Sequence, residues 1–251
     1  FMYNYVSVKH IYDELNNFET KNETNKFSSE KMNFKENIII KDLSFIYPGT
    51  KNKILKNFNC EIKKNTVTAF VGKSGVGKST LANIILGLIE PSSGLIEVDG
   101  IKISDNLSNW QNSTAFVPQS INLLDDTILK NIAFGIEDKL IDIDLVNKCL
   151  DMVELTEFIK NSPKGLHTQV GEKGIRISGG QIQRIGIARA LYRKPSLLIL
   201  DEATNALDDE TEKSIIETIY NLKNLITTII VTHKQDNIKA SDKIILFDRS
   251  N

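Results

Sequence analysis

The feature that most constrains this sequence is a glycine-rich segment between two apolar runs. Residues 66–71 lead into Gly72-Lys73-Ser74-Gly75-Val76-Gly77-Lys78-Ser79-Thr80, and residues 81–86 follow it. The spacing fits G-x-x-x-x-G-K-[ST] in the strand, loop and helix order that this motif requires. Glycines in such a loop let backbone N–H groups face phosphate oxygens, and the helix N-terminus adds partial positive charge. The sequence therefore predicts a phosphate-binding loop with a nucleoside triphosphate as its ligand.

Two side chains of this loop have distinct predicted roles. Lys78 is predicted to reach the β- and γ-phosphates, and the hydroxyl of Ser79 is predicted to bind Mg²⁺. The predicted nucleotide-binding residues of the loop are Gly72, Ser74, Gly75, Gly77, Lys78, Ser79 and Thr80.

An acidic pair follows another apolar run later in the chain. Residues 196–200 predict a buried strand, and Asp201 and Glu202 come directly after it. An Asp-Glu pair in that place is, by itself, equally well explained as a solvated turn. Together with the phosphate-binding loop it predicts hydrolysis, because the first carboxylate can hold Mg²⁺ through water and the second can accept a proton from the attacking water. Asp201 is thus a predicted metal ligand, and Lys78 and Glu202 are predicted catalytic residues.

The composition divides the chain into three parts. Residues 1–18 place apolar side chains at helical spacing between charged ones, which predicts an amphipathic helix. Residues 19–37 are rich in Lys, Glu, Asn, Thr and Ser without a sustained period, which predicts a linker. Residues 38–251 are predicted to form the folded domain.

Short apolar runs predict the strands of that domain. The first ones have antiparallel character, because residues 95–98 and 101–103 flank Asp99-Gly100, a strong hairpin signal. The later ones follow helical segments, as parallel α/β units require. A helical insert at about residues 121–180 interrupts the sheet, with predicted helices at residues 144–152 and 155–159. The predicted strands are residues 38–46, 58–62, 66–71, 95–98, 101–103, 196–200, 226–231 and 243–247.

Charge and composition argue against several classes of protein. The 31 Lys and Arg residues against 32 Asp and Glu residues give a net charge of -1, so no global positive field favours binding to nucleic acid or anionic lipid. The two cysteines, Cys60 and Cys149, are too few for a disulfide framework or a cysteine zinc site, which favours a reducing compartment. No apolar run approaches the roughly 18 to 20 residues that cross a bilayer, and the N-terminus shows no secretion signal. We therefore expect a chain that by itself neither spans a membrane nor is secreted.

Residues 177–181 identify a family. Ile177-Ser178-Gly179-Gly180-Gln181 resembles the LSGGQ signature of ATP-binding-cassette (ABC) proteins, with Ile in place of Leu. Ser178 and Gln181 also fit a capping box at the start of a helix, so the segment presents a helix N-terminus and glycine backbone to an anion. The resemblance implies an α/β fold: a P-loop NTPase (RecA-like) core with an antiparallel β subdomain and a helical insert. It also implies that the signature residues Ser178, Gly179, Gly180 and Gln181 face the γ-phosphate held by a second copy of the domain.

Four further landmarks match the family in the expected order. Tyr47 resembles the aromatic residue that stacks on adenine, and Gln119 resembles the glutamine that reaches Mg²⁺ and the attacking water. Asn205-Ala206-Leu207-Asp208 is similar to the loop that contacts the opposite monomer, which makes Asp208 a further candidate. His233 resembles the histidine that acts on the γ-phosphate, and the Lys234 that follows it departs from the usual Arg. The resemblance thus implies an ATPase with ATP and Mg²⁺ as cofactors, and Gln119 and His233 join the predicted catalytic set.

Two segments are similar to one branch of the family. Residues 168–174 resemble the TxVGExG loop of exporters, and residues 126–135 also resemble an exporter segment. The resemblance implies a transmembrane domain fused N-terminally, of which residues 1–18 would be the end of the last helix. It further implies that ATP closes a head-to-tail dimer at the cytoplasmic face of a membrane, such as the cell inner membrane, to drive export or flipping. The substrate class stays open, because the residues that contact a substrate would lie in the membrane helices.

Two alternatives remain open at this point. One is a free-standing ABC importer subunit that binds separately encoded membrane subunits. The other is a soluble ABC ATPase of nucleic-acid metabolism. That second class typically carries long coiled-coil insertions, zinc cysteines or a second cassette, and the sequence shows none of these.

Overall fold

The computed structural model describes residues 30–171, 177–204, 207–234 and 241–248, and in these ranges two β-sheets organise the chain. Within them, no helix has both the length and the apolar character of a bilayer span. The amphipathic helix predicted at residues 1–18 lies outside the described residues, as does most of the predicted linker. Both stay predictions.

The first sheet is antiparallel and has the strand order β2-β1-β4-β5. Its turn at Asp99-Gly100 has positive φ at both residues, 50° and 81°, as a two-residue hairpin of the favoured hand requires. The predicted hairpin is therefore confirmed. The strands are β1 (Asn37–Ile46), β2 (Lys53–Lys63), β4 (Ser93–Val98) and β5 (Ile101–Lys102).

The second sheet is parallel and has the order β6-β7-β8-β3-β9. Its central strands are buried on both faces, which explains their continuous apolar sequence. In β7, Leu197 and Ile199 face one hydrophobic core, while Leu198 and Leu200 face the other. The strands are β3 (Val67–Gly72), β6 (Thr114–Val117), β7 (Leu197–Asp201), β8 (Thr227–Thr232) and β9 (Lys243–Phe247).

Helices surround the parallel sheet. One core lies between this sheet and the antiparallel sheet and includes α1, and the other lies between the sheet's opposite face and the helices from α3 onward. The helices are α1 (Lys78–Ile85), α2 (Leu107–Asn112), α3 (Ile128–Ile132), α4 (Ile143–Met152), α5 (Thr156–Lys160), α6 (Gly179–Tyr192) and α7 (Asp209–Asn221). Short 3₁₀ turns occur at Ile103–Asn106, Asp138–Leu140 and Gly165–His167. The helices α3 to α5 form the insert expected between β6 and α6.

The segment before β1 packs onto the folded domain. Met32 and Phe34 are 6% and 3% exposed and belong to the core that contains α1. Phe34 meets Trp110 edge to face at 6.4 Å between ring centroids, and Met32 N–H donates to Ser113 Oγ at 2.7 Å. Tertiary contacts therefore begin within the segment that composition alone assigns to a linker.

Candidate functional site

The glycine-rich loop connects β3 to α1. Gly75 and Gly77 have φ values of 79° and 105°, a conformation that only glycine adopts without strain. A Cβ on Gly77 would also lie 2.9 Å from Ile54 Cγ2. The first turn of α1, which begins at Lys78, thus presents its N–H groups toward the loop, as an anion site at a helix N-terminus requires.

Lys78 is buried beneath this loop. Its side chain is 4% exposed, and Nζ donates to the carbonyl oxygens of Gly72 and Lys73 at 2.8 and 2.9 Å. Nζ also lies 3.9 Å from Oε1 of Glu202. The structure therefore brings the loop lysine and the carboxylate after β7 to one place.

Ser79 contacts the acidic pair directly. Its Oγ donates to Oδ1 of Asp201 at 3.0 Å. Burial raises the pKa of Asp201 above its usual value, the Ser79 hydrogen bond opposes this, and the neighbouring Glu202 carboxylate adds to it. A nearby cation would relieve that cost, because an opposite charge favours the ionised carboxylate. The hydroxyl and carboxylate oxygens at this point are ligands that suit Mg²⁺.

Glu202 and His233 lie at the ends of adjacent parallel strands. Nδ1 of His233 is 3.8 Å from Oε1 of Glu202, and the two side chains are 49% and 21% exposed. The backbone of Glu202 has a φ of 50°, while its N–H donates to the Val231 carbonyl at 2.9 Å. Left-handed backbone at a non-glycine residue costs free energy, and such conformations cluster at functional sites.

These groups enclose a cavity of about 420 Å³. The phosphate-binding loop forms one side of this cavity, and Glu202 and His233 form the other side. Sequence reasoning did not single out Lys73, which lines this cavity, although its position inside the loop could have indicated it. The lining residues are Gly72, Lys73, Ser74, Glu202 and His233.

Tyr47 lies beside the same loop, just after β1. Its hydroxyl shares a hydrogen bond with Thr80 Oγ1 at 3.0 Å. Its ring meets Phe45 edge to face at 4.8 Å, and the residue is 41% exposed. A partly exposed aromatic side chain thus lies next to the phosphate-binding loop, which is the placement a base-stacking residue needs.

Gln119 takes a different position. It is exposed and lies two residues beyond β6, which pairs with β7. Its neighbours Pro118 and Ser120 line a separate cavity of about 240 Å³. The lining of the cavity beside the phosphate-binding loop does not include Gln119.

The signature segment forms the N-terminus of α6. Ser178 N–H donates to Gln181 Oε1 at 2.9 Å, and Gln181 N–H donates to Ser178 Oγ at 3.2 Å, so the predicted capping box is confirmed. A Cβ on Gly180 would lie 2.5 Å from Thr211 Cγ2, and one on Gly179 would lie 3.2 Å from Leu207 Cδ2. The signature glycines therefore lie against Leu207 and Thr211, on either side of the N-cap of α7.

Asp208 caps that same helix. Its carboxylate accepts hydrogen bonds from the N–H and the hydroxyl of Thr211, at 3.0 and 2.8 Å. The Thr211 N–H is the main cause that holds the pKa of Asp208 below its usual value. Asn205 and Ala206 of the same predicted loop, and residues 172–176 before the signature, lie outside the described residues.

The arginines after the signature hold the helical insert. Arg184 donates to the Val153 carbonyl at 2.5 Å and to Ser214 Oγ at 2.8 Å. Arg189 donates to the Asn131 carbonyl at 2.7 Å and lies over the Phe134 ring. These contacts attach α6 to the helical insert.

The comparisons with known proteins agree on one family. A family profile described as ABC transporter matches residues 55–205. The ATP-dependent lipid A-core flippase of Photobacterium profundum is 37% identical over 236 residues, which are 94% of this chain and 40% of that protein. The ATP-dependent lipid A-core flippase 2 of Colwellia psychrerythraea is 41% identical over 214 residues, or 85% of this chain and 36% of that protein. The chain thus spans about two fifths of the length of these curated relatives.

A solved structure gives the same result. The chain is similar to a bacterial Atm1-family ABC exporter with ATP bound, with a TM-score of 0.77 and 33% identity over 88% of this chain and 38% of that one. The expected α/β fold with an antiparallel and a parallel sheet is therefore confirmed. With the profile covering more than half of its residues, the chain belongs to the ABC transporter family.

Proposed function

We propose that this chain binds ATP with Mg²⁺, hydrolyses it, and is the nucleotide-binding domain of an exporter. One observation carries the proposal: the cavity of about 420 Å³ has phosphate-binding backbone on one side and Glu202 and His233 on the other. A triphosphate in the loop would place its terminal phosphate between these groups. The membership of this chain in the ABC transporter family supports the same activity.

Binding falls to the loop and its neighbours. Lys78 would exchange its two carbonyl partners for phosphate oxygens, which offer a stronger, charge-assisted hydrogen bond. The backbone around the phosphates would come from Ser74, Gly75, Gly77 and Thr80. Tyr47 would stack its exposed ring on the adenine.

The metal ion fits the oxygen groups beside the loop. Ser79 and Asp201, already in contact at 3.0 Å, would hold it, and Gln119 would approach from the end of β6. When bound, Mg²⁺ supplies charge neutralisation at the phosphates.

Glu202 and His233 would carry out the hydrolytic step. The oxygen of a water molecule attacks the γ-phosphorus while the Glu202 carboxylate accepts the water's proton. The bond from the γ-phosphorus to the bridging oxygen breaks, and its electron pair leaves with ADP. His233, 3.8 Å from Glu202, would orient the γ-phosphate and the water.

A second cassette would complete each site. The capped N-terminus of α6 and Asp208 lie around the start of α7, away from the lining of the loop cavity. We therefore assign Ser178, Gly179, Gly180 and Gln181 to the nucleotide of the opposite copy in a head-to-tail dimer. A transmembrane domain, N-terminal in a longer protein, would convert closure and reopening into export or flipping.

The test is phosphate release by the chain as a function of protein concentration, for the wild type and Glu202→Gln. We expect a specific rate that rises with concentration, because two copies form each site. Glu202→Gln should lower turnover by roughly 10²- to 10⁴-fold, as loss of a general base does, and still bind ATP. The matched control is Glu217→Gln, an exposed glutamate on α7. Full activity of Glu202→Gln would contradict the assigned role.

A further inference from the structure

Glu212 is a buried acid that none of the steps above uses. It lies in the first turn of α7 and is 3% exposed. Thr204 Oγ1 donates to its Oε1 at 2.7 Å, and Lys234 Nζ donates to its Oε2 at 2.5 Å. Each carboxylate oxygen is thus bound by a side chain from a different loop.

Those two loops carry the proposed hydrolytic residues. Thr204 lies two residues after Glu202, and Lys234 directly follows His233. The strands before them, β7 and β8, are adjacent, with Asp201 paired to Val231. Glu212 therefore bridges the two loops that follow these strands.

The same helical turn also supports the signature. Thr211, next to Glu212, is the residue that a Cβ on Gly180 would strike. One turn of α7 thus contacts the loop after β7, the loop after β8 and the N-terminus of α6.

Stability alone is a poor explanation of this arrangement. The Glu212 side chain is 3% exposed and that of Lys234 is 33% exposed. Burial of the carboxylate therefore costs desolvation free energy, and apolar residues of similar size often replace such a pair with equal or greater stability. What the pair supplies is a fixed geometry, because a carboxylate with two donors at short distance holds both of them in place.

We propose that Glu212 and Lys234 are positioning residues that hold His233 beside Glu202 in the geometry needed for hydrolysis. This inference rests on the proposed ATPase function. Neither residue touches the nucleotide in this role: Lys234 acts through the backbone it shares with His233, and Glu212 acts through Lys234 and Thr204.

The first test compares Lys234→Met with Lys234→Arg. Lys234→Met removes the charge and keeps the length of the side chain, whereas Lys234→Arg keeps the cation. We expect kcat of Lys234→Met to fall roughly 10- to 100-fold, since small displacements of reacting groups have effects of that size. KM and ATP affinity should change little, and Lys234→Arg should retain most of the turnover.

A second variant separates positioning from stability. Glu212→Met combined with Lys234→Met removes both charges and leaves no unpaired ion in the interior. We expect its unfolding temperature to stay near that of the wild type while its kcat stays low. If this variant regained the wild-type kcat, the pair would only prevent an unpaired buried charge, and the inference would be overturned.

A third measurement tests whether Lys234 acts through His233. In the background of His233→Ala, Lys234→Met should cause little further loss of kcat, because residues that act as a unit are non-additive. Two independent, multiplying losses would overturn the inference. A wild-type chain without ATPase activity would overturn the proposed function and this inference together. An active wild type whose Lys234→Met variant keeps its kcat would overturn the inference alone.

Discussion

Nζ of Lys78 lies 3.9 Å from Oε1 of Glu202, so the cation of the phosphate-binding loop lies directly beside a carboxylate that lines the cavity. The two side chains differ in accessibility, with Lys78 4% and Glu202 21% exposed. The ammonium group of Lys78 is bound by the carbonyl oxygens of Gly72 and Lys73. The carboxylate of Glu202 instead lines the cavity that water would enter. This difference supports the proposed binding role of Lys78 and the proposed proton-transfer role of Glu202.

Replacing Lys78 should weaken nucleotide binding itself. In Lys78→Ala the triphosphate loses a charge-assisted hydrogen bond of roughly 1.5 to 3 kcal/mol, which corresponds to about 10- to 100-fold in affinity. The measurement is a titration with a fluorescent ATP analogue. Lys51→Ala, an exposed lysine in the loop after β1, is the control. Unchanged affinity of Lys78→Ala would contradict the phosphate-binding role of the loop.

Ser178 should matter for turnover beyond its structural cap. Ser178→Ala and Asp142→Ala each remove an N-cap hydrogen bond, at α6 and α4 respectively, and each should cost about 1 kcal/mol of stability. Only Ser178→Ala should also lower the ATPase rate, by roughly 10- to 100-fold, if Ser178 binds a phosphate of the opposite copy. Thermal unfolding and phosphate release are measured for both variants. If the two variants had equal ATPase rates, Ser178 would have a capping role only.

Phe34 should be part of the folded domain. It is 3% exposed and packs against Trp110, so Phe34→Ala should cost about 3 to 5 kcal/mol of unfolding free energy. Urea denaturation measures the loss, with the exposed neighbour Asn33→Ala as the control. A Phe34→Ala variant as stable as the wild type would mean that the segment before β1 contributes nothing to folding.

Asp99 should give the domain a specific sensitivity to acid. Partial burial raises the pKa of Asp99, but hydrogen bonds from the N–H groups of Lys35, Asn37 and Glu36 outweigh it and hold the pKa below its usual value. A carboxyl group whose pKa is lower in the folded state stabilises that state at pH values above its unfolded-state pKa of about 3.9. This stabilisation is lost as the pH falls through the pKa of the folded state.

Asp99→Asn tests this dependence, because asparagine also tolerates the left-handed turn conformation. The variant should be less stable than the wild type from pH 7 to pH 5, and the difference should shrink below about pH 4. Urea unfolding at several pH values measures it. A difference that does not vary with pH would show that the charge of Asp99 is not the cause.

Local sequence was sufficient to predict the strands that are buried on both faces. The central strands β7 and β8 begin and end within one residue of their predicted positions. Their apolar runs are short, which favours a strand buried on both faces over a helix. The edge strand β2 of the antiparallel sheet was harder to predict. The strand predicted at residues 58–62 runs from Lys53 to Lys63, because the exposed half of an edge strand carries polar side chains and Asn57 interrupts it with a φ of 46°.

Contacts between distant segments limited the prediction of the site. The loop motif is contiguous, so its residues could be named from spacing alone. Glu212 and Lys234 show no local pattern, since their link depends on how α7 packs beside β8. Met32 and Phe34 are isolated apolar residues in a polar segment, and only their contacts with Ser113 and Trp110 show that they are buried.

The far end of the signature helix is attached to the segment that enters the domain. Lys31 Nζ donates to the carbonyl oxygens of Arg193 and Lys194, at 2.6 and 2.7 Å, where α6 ends and cations are favoured. With 14 residues, α6 is about 21 Å long. A displacement of Lys31 would therefore be transmitted along α6 to Ser178 at the opposite end of the helix, and would reach the signature without any contact with nucleotide.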